Sequence, residues 1–424
     1  MITPGYSPTA TERVLPRMAL DFTTASLDSR VTVTRALNTA TRVNSSGYIE
    51  TINANLPRFD YSPVNLGVCK GLLIEETRAN LAIKSSDFDD SVVWTRTNVD
   101  VTPNATNSPD GTSNAEKIIE TAGTAGHLVL QAISPSLTSG VTYTYSVFLK
   151  KAEREFAFVV LSGSAFSATV GVSVNLTTGV ASTATGSPVY TQPELAANGF
   201  WRVNITSTAA SSATGGCSVY LSNNGSWGSR AYIGDGTSGL YAWGAQFEAG
   251  AFPTSYIPTT TTSLTRNADA VSMTGTNFSD WYNESEGAFK VCAGLLFDIT
   301  SSTIMAVKNA AVTNTIGFDL DASNGLRWRI TDAGANQAFC YLASPATANT
   351  RYIMCGRYKV NSFAASANGG APVTDSAGTV PATNTYLAIG SNSALGATPI
   401  NGYVECIYYW PQALTNAEVQ AFSK

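Results

Sequence analysis

Alternation with a period of two residues is the feature that most restricts what this chain can become. Between Val141 and Lys150, the side chains of Val141, Tyr143, Tyr145, Val147 and Leu149 share one face. Thr142, Thr144, Ser146 and Lys150 share the other, and Phe148 is the one exception. Trp201, Val203 and Ile205 oppose Arg202, Asn204 and Thr206 in the same way. Successive strand side chains point to opposite faces, so the pattern predicts antiparallel strands with one face in a core and one in water. Asn-Gly pairs at 224–225, 324–325 and 368–369 separate such runs, as tight hairpin turns require. Helical spacing occurs only at the end, where Thr415-Asn-Ala-Glu418 forms a capping-box sequence ahead of Val419 and Phe422. The expected fold class is all-β, built of sandwiches, jelly rolls or barrels.

The chain has 424 residues, enough for two or three domains at roughly 150 residues each. Its texture changes twice. Residues 1–84 read as irregular and arginine-rich (Arg13, Arg17, Arg30, Arg35, Arg42, Arg58, Arg78), an N-terminal anchoring region that must bury its apolar residues against something else. Residues 85–268 read as one strand-rich domain, closing in an extended connector, Pro253-Thr-Ser-Tyr-Ile-Pro258, and a threonine run. Residues 269–424 read as a second. No fixed-period repeat is present, which argues against a parallel β-helix.

Charged residues make up only 13% of the chain, and the net charge of −5 lacks a basic cluster, which excludes nucleic acid as the main partner. No stretch approaches the ~20 apolar residues of a membrane span, so no membrane insertion is expected. The start, Met-Ile-Thr-Pro-Gly-Tyr, has neither the basic segment nor the apolar run of a signal peptide. The six cysteines contain no CxxC pair, so zinc and redox motifs are not indicated, and buried free thiols are expected.

Catalysis has few starting points. His127 is the one histidine and sits at the entrance of an apolar strand, a structural position. Carboxylate pairs could support glycoside hydrolysis. Glu75 and Glu76 are adjacent, however, and point to opposite faces, while Asp87, Asp89 and Asp90 read as a solvated loop. Asp319-Leu-Asp-Ala-Ser-Asn-Gly325 begins like a calcium loop, but its glycine comes one place late and no Glu closes it, so it reads as a hairpin turn. No catalytic residue, metal or cofactor is therefore assigned. Sugar binding needs exposed aromatic faces beside hydrogen-bonding groups. The candidates in polar segments are Trp227, Trp281 and Tyr282, whereas Trp201 and Trp243 lie in patterned strands and are expected in the core.

The segment from Arg35 to Ile49, with Leu56-Pro-Arg-Phe-Asp-Tyr61 and Gly71 to Leu81, resembles the opening of phage and prophage fibre-type proteins. Trp94-Thr-Arg, Ser108-Pro-Asp-Gly-Thr112, Thr142-Tyr-Thr-Tyr-Ser146, Gly199-Phe-Trp-Arg-Val203, Trp243-Gly-Ala-Gln-Phe-Glu248 and Thr265-Arg-Asn-Ala-Asp269 continue the resemblance in fixed order. It implies a jelly roll of the carbohydrate-binding-module type. Ile400 to Phe422 is similar to the ending of laminin-G or concanavalin-A-like sandwiches, which extends the expectation to 269–424. The resemblance implies a virion fibre, spike or other head or tail appendage, made in the host cytoplasm, non-enzymatic and homotrimeric. Such a protein attaches to other virion proteins through its N-terminal region and displays its sandwiches toward host surface glycans. A decoration or cement protein contacting only virion proteins is the alternative, and a glycan depolymerase is a third.

Overall fold

A computed structural model describes residues 15–296, 301–393 and 396–424. Arg13, the first 14 residues of the proposed anchoring region and the Met-Ile-Thr-Pro-Gly-Tyr start lie outside the described residues. The regular structure of the described chain is almost entirely antiparallel β, and it divides into two compact units that are not consecutive in sequence. One comprises 35–69 and 77–268, the other the described residues of 15–34, 70–76 and 269–424. The described part of residues 1–84 thus supplies short strands and loops to both units. No helix among the described residues is long and apolar enough to cross a membrane.

The first unit is a sandwich of two six-stranded sheets. One runs, edge to edge, Glu194–Leu195, Trp201–Thr208, Thr142–Lys151, Gly239–Ala249, Ala115–Glu120 and Val99–Thr106. The other runs Val180–Thr185, Val170–Asn175, Phe156–Ser162, Gly215–Ser222, Leu128–Ile133 and Thr95–Thr97. The alternating residues do what their spacing predicts. Tyr143, Tyr145, Val147, Leu149, Val203 and Ile205 meet Val159, Leu161, Val172, Val174, Val219 and Leu221 in one buried core. Phe148, out of phase in the sequence, faces away from that core into a separate aromatic cluster.

In the second unit, one sheet carries Val373–Asp375, Phe363–Ala367, Thr350–Lys359, Glu286–Leu295, Gly402–Trp410 and Cys69–Ile74, with Met18–Asp21 also pairing to Gly402–Trp410. The facing sheet runs Thr32–Thr34, Ala270–Thr274, Tyr386–Ile389, Thr303–Lys308, Thr315–Leu320, Leu326–Asp332 and Ala335–Ala343. Trp328 ties the two together. Its Nε1 donates to the Arg357 carbonyl at 3.1 Å, and its ring fills the space above Gly356, where any Cβ would lie 2.6 Å from it. The closing helix Asn416–Phe422 has its capping box, with Thr415 Oγ1 and the Glu418 carboxylate each serving the other residue's backbone N–H. Phe422 stacks on Trp410 at 4.7 Å.

One expectation changes here, and one is sharpened. Cys292 and Cys406, opposite one another on neighbouring strands, form a disulfide rather than remaining free thiols. Cys217, Cys340 and Cys355 are buried thiols, and Cys69 is half-buried. Trp243 is buried as expected, in a second aromatic core cluster on the outer side of its sheet rather than between the sheets. A bulge causes this. Between Ser146↔Gln246 and Phe148↔Trp243 the strand Gly239–Ala249 carries one extra residue, and Gly244 takes φ 64°. Leu240 and Ala242 face inward before the bulge, Ala245 and Phe247 after it, and Trp243 is turned out.

Candidate functional site

The first unit holds a pocket of about 160 Å³ on the outer side of the Trp243 sheet. Its apolar wall is Trp243 and Tyr256, tilted rings 4.6 Å apart, with Ile49 and Pro258. Phe148 backs the pair, 5.4 Å from Trp243 and edge-on to Tyr256 at 6.2 Å. The polar wall is Thr41, Glu50, Thr51, Ser86, Asp110 and Asn114.

Each wall is held by chemistry legible along its own segment. The hairpin of Ala40–Val43 and Ile49–Ile52 brings Thr41, Glu50 and Thr51 to the rim, paired Thr41↔Thr51 and Arg42↔Glu50. Asn44 closes its turn by accepting from the Ser46 and Tyr48 amides, with Gly47 at positive φ. Glu50 is fixed by Arg42 Nε at 2.8 Å and by Asn44 Nδ2. The Ser108-Pro-Asp-Gly-Thr112 segment is a tight turn in which Asp110 Oδ1 accepts from Ser108 Oγ, the Thr112 amide and the Thr112 hydroxyl. Asp110 Oδ2 accepts one bond, from Asn114 Nδ2, and keeps acceptor capacity.

Tyr256 is placed by a buried polar anchor. Glu248, with no solvent exposure, accepts from the Thr254 amide and hydroxyl and from Gln246 Nε2. Gln246 in turn accepts from the Ile257 amide, and Asn80 bridges the Ala245 and Ile257 carbonyls. Together these pin the Pro253–Pro258 connector against the strand that carries Trp243. The Tyr256 hydroxyl meets Ser85 Oγ at 2.6 Å, and burial pushes its ionisation well above the usual range. Two wall atoms are left over. Trp243 Nε1 and Asn114 Oδ1 are buried and make no hydrogen bond with any described residue. A buried donor and a buried acceptor without partners are uncommon, because each forfeits its hydration for nothing. Here both belong to residues that line one opening.

Close by lies a carboxyl pair that the sequence did not suggest. Glu116 is 4% exposed, and burial, with a hydrogen bond to Asp89, pushes its carboxyl up to about 9. Asp87 and Asp90 are instead engaged by Lys84 at 3.3 and 3.8 Å. Of the residues singled out from sequence, Trp227 is half-buried over the two central strands of the other sheet. Its edges meet Phe158 and Tyr220, and the Arg230 guanidinium lies 4.9 Å over its ring. Trp281 is 3% exposed, and its Nε1 donates to the Asn277 carbonyl at 2.8 Å. It packs among Phe278, Tyr282, Phe289 and Tyr409, so it has no free face. Tyr282 stacks on Phe278 and accepts from Asn384. Trp281 and Tyr282 thus share one closed cluster in the second unit and Trp227 belongs to the first, and the aromatic pair that does line a pocket, Trp243 and Tyr256, was not among them. The available signal was the glycine directly after Trp243, which permits the bulge.

His127 is fully buried, with Nδ1 at 2.7 Å from the Asn98 carbonyl. Asp319–Gly325 is a hairpin turn, in which Asp321 accepts from the Ser323 and Gly325 amides and its carboxyl is held below the usual range by those bonds.

No protein-family model matches the chain, and no curated protein matches it. Among solved structures, the CBM40 of a Ruminococcus gnavus IT-sialidase aligns with 34% of this chain and 84% of its own, at 11% identity and a TM-score of 0.29. Domain 4 of a GH43 extracellular arabinanase from Geobacillus stearothermophilus aligns with 41% of this chain and 82% of its own, at 11% identity and a TM-score of 0.30. The LG1-3 region of the laminin alpha2 chain aligns with 70% of this chain and 66% of its own, at 10% identity and a TM-score of 0.25. Likeness at this level carries no argument about function.

Proposed function

We propose that this protein is a non-enzymatic surface appendage of a phage particle whose first sandwich binds the end of a host glycan in the Trp243–Tyr256 pocket. The observation that carries the glycan reading is the pocket's composition. An aromatic pair supplies an apolar wall for a sugar ring, an oriented carboxylate stands on the polar wall to accept from hydroxyl groups, and the wall residues carry a buried unpaired indole N–H and amide oxygen. A volume of about 160 Å³ suits one sugar unit rather than a chain threaded through. The virion assignment rests on the ordered sequence words that resemble phage fibre proteins. Apolar side chains on one surface loop, Val64, Leu66 and Val68, each more than half exposed, support attachment of the N-terminal region to other virion proteins. Trimeric assembly and location on the particle belong to the same proposal.

The test is a glycan array with the whole chain, since residues 41–51 form a pocket wall and an 85–424 fragment lacks it. Saturable binding that falls about tenfold in Trp243→Phe, with the melting temperature little changed, is the expected result, because that substitution keeps a ring and removes one donor. A silent array from protein that still incorporates into particles favours the decoration role. Shortening of host polysaccharide on incubation identifies a depolymerase instead.

A further inference from the structure

The lining of the Trp243–Tyr256 pocket is unbalanced in both charge and hydrogen bonding. Two of its residues are charged, Glu50 and Asp110, and both are acidic. Arg42 pairs with Glu50 at 2.8 Å. The Asp110 carboxylate has no cation within ion-pair distance among the described residues. It accepts instead from the Ser108 and Thr112 hydroxyls, the Thr112 amide and Asn114 Nδ2. Lys84, on the segment that carries Ser86, is held by Asp87 at 3.3 Å and Asp90 at 3.8 Å. Arg58 donates to the Thr41 carbonyl but is 1% exposed and does not line the opening. Burial, and with it the charges of Asp110 and Asp87, pushes the ionisation of Tyr256 up, against the hydrogen bond with Ser85.

Donors on the polar wall are spent inside the protein. Thr41 Oγ1 donates to the Tyr256 carbonyl, Ser86 Oγ to Asp87 and Asn114 Nδ2 to Asp110. Acceptors are left over. Asp110 Oδ2 takes one bond, and the buried Asn114 Oδ1 takes none from any described residue. Both belong to one hydrogen-bonded pair of side chains. Against them stands one buried donor of the lining without a partner, Trp243 Nε1. An ammonium group carries three donors and no acceptor, whereas a carboxylate carries acceptors only. The aromatic lining suits the same charge, because the quadrupole of a ring attracts a cation.

We infer that the sugar unit taken by this pocket is an amino sugar with a free ammonium group, held by Asp110 and Asn114, and that acidic sugars are refused. That the ligand is a sugar rests on the glycan reading above; the charge it carries does not. The probes are glucosamine, N-acetylglucosamine, glucose, glucuronate and tetramethylammonium, titrated into the whole chain at about pH 6, where an amine of this kind is charged. Ligand-observed NMR reads the affinities. Glucosamine is expected to bind saturably and about tenfold more tightly than N-acetylglucosamine or glucose, with glucuronate the weakest. Added sodium chloride is expected to weaken glucosamine and leave glucose unchanged, because salt screens only the charged ligand. Asp110→Asn keeps an oxygen for the Ser108–Thr112 turn. It is expected to bring glucosamine down to the affinity of glucose for the same variant, with folding verified by melting temperature. Selectivity and its salt dependence need no variant, so they decide the matter even if Asp110→Asn unfolds. Equal affinities for glucosamine and glucose, or glucuronate bound as tightly as glucosamine, overturn the charge preference and leave the glycan reading standing. A preference that survives in Asp110→Asn overturns the role of Asp110. Tetramethylammonium bound where no sugar binds keeps a cation site and removes the glycan reading. Silence from every probe overturns both.

Discussion

Two tryptophan-centred clusters invite comparison. In the second unit, Trp281 sits among Phe278, Tyr282, Phe289 and Tyr409. Every polar tip there has a partner: Trp281 Nε1 on the Asn277 carbonyl, the Tyr358 hydroxyl on the Asn283 carbonyl and on Tyr409, and Tyr282 with Asn384. In the first unit, Trp243 and Tyr256 are about as buried, at 2% and 4% exposure, yet the indole N–H and the neighbouring Asn114 oxygen have none. Ring burial does not separate a packing plug from a binding wall. These two clusters differ in polar satisfaction instead, although the closed core of the first unit also buries one unmatched hydroxyl, that of Tyr145.

The comparison can be broken most sharply at Trp281. Trp281→Ala is expected to cost about 3–5 kcal/mol in urea denaturation while leaving glycan binding by the first unit intact. Lost binding with unchanged stability reverses the roles of the two clusters. The disulfide of the same unit comes next. Its replacement by Cys292→Ala with Cys406→Ala is expected to cost about 2–4 kcal/mol. Denatured, unreduced protein is expected to expose four alkylatable thiols and reduced protein six; six in both leaves Cys292 and Cys406 unpaired.

Glu116 sharpens the same contrast with a titration. Its carboxyl ionises near 4.5 in the unfolded chain and near 9 in the folded one, so its protonated form supports the fold fully below about pH 4.5. That support is lost as pH rises from there to about 9. Glu116→Gln is therefore expected to be neutral at pH 4 and stabilising by about 1–3 kcal/mol at pH 8, read from melting curves across that range. A gain that does not grow with pH rules out a buried protonated acid. The smallest effect is expected at Trp227. Its ring is half-buried and covered by Arg230, so Trp227→Ala is expected to cost about 1 kcal/mol and leave array binding unchanged. A binding loss there moves the ligand site to the other sheet.

Much of this was written locally. Alternation at Val141–Lys150 and Trp201–Thr206 marked which side chains enter the core, because strand geometry alone sends neighbours to opposite faces. The Thr415–Glu418 capping box and the Asp321–Gly325 turn were equally legible, since both are satisfied within five residues. The pocket was not. Thr41, Asp110, Trp243 and Tyr256 meet only after distant strands pair and the Glu248–Thr254 anchor folds the connector back. Trp243 itself stands in the right phase for a core residue until one extra residue at Gly244 turns it outward. So the sequence by itself determined the strands, their buried faces and the turns, which follow from local geometry and water. Which aromatic rings would line a pocket with unmatched polar atoms was decided only by tertiary structure, because it depends on partners far along the chain.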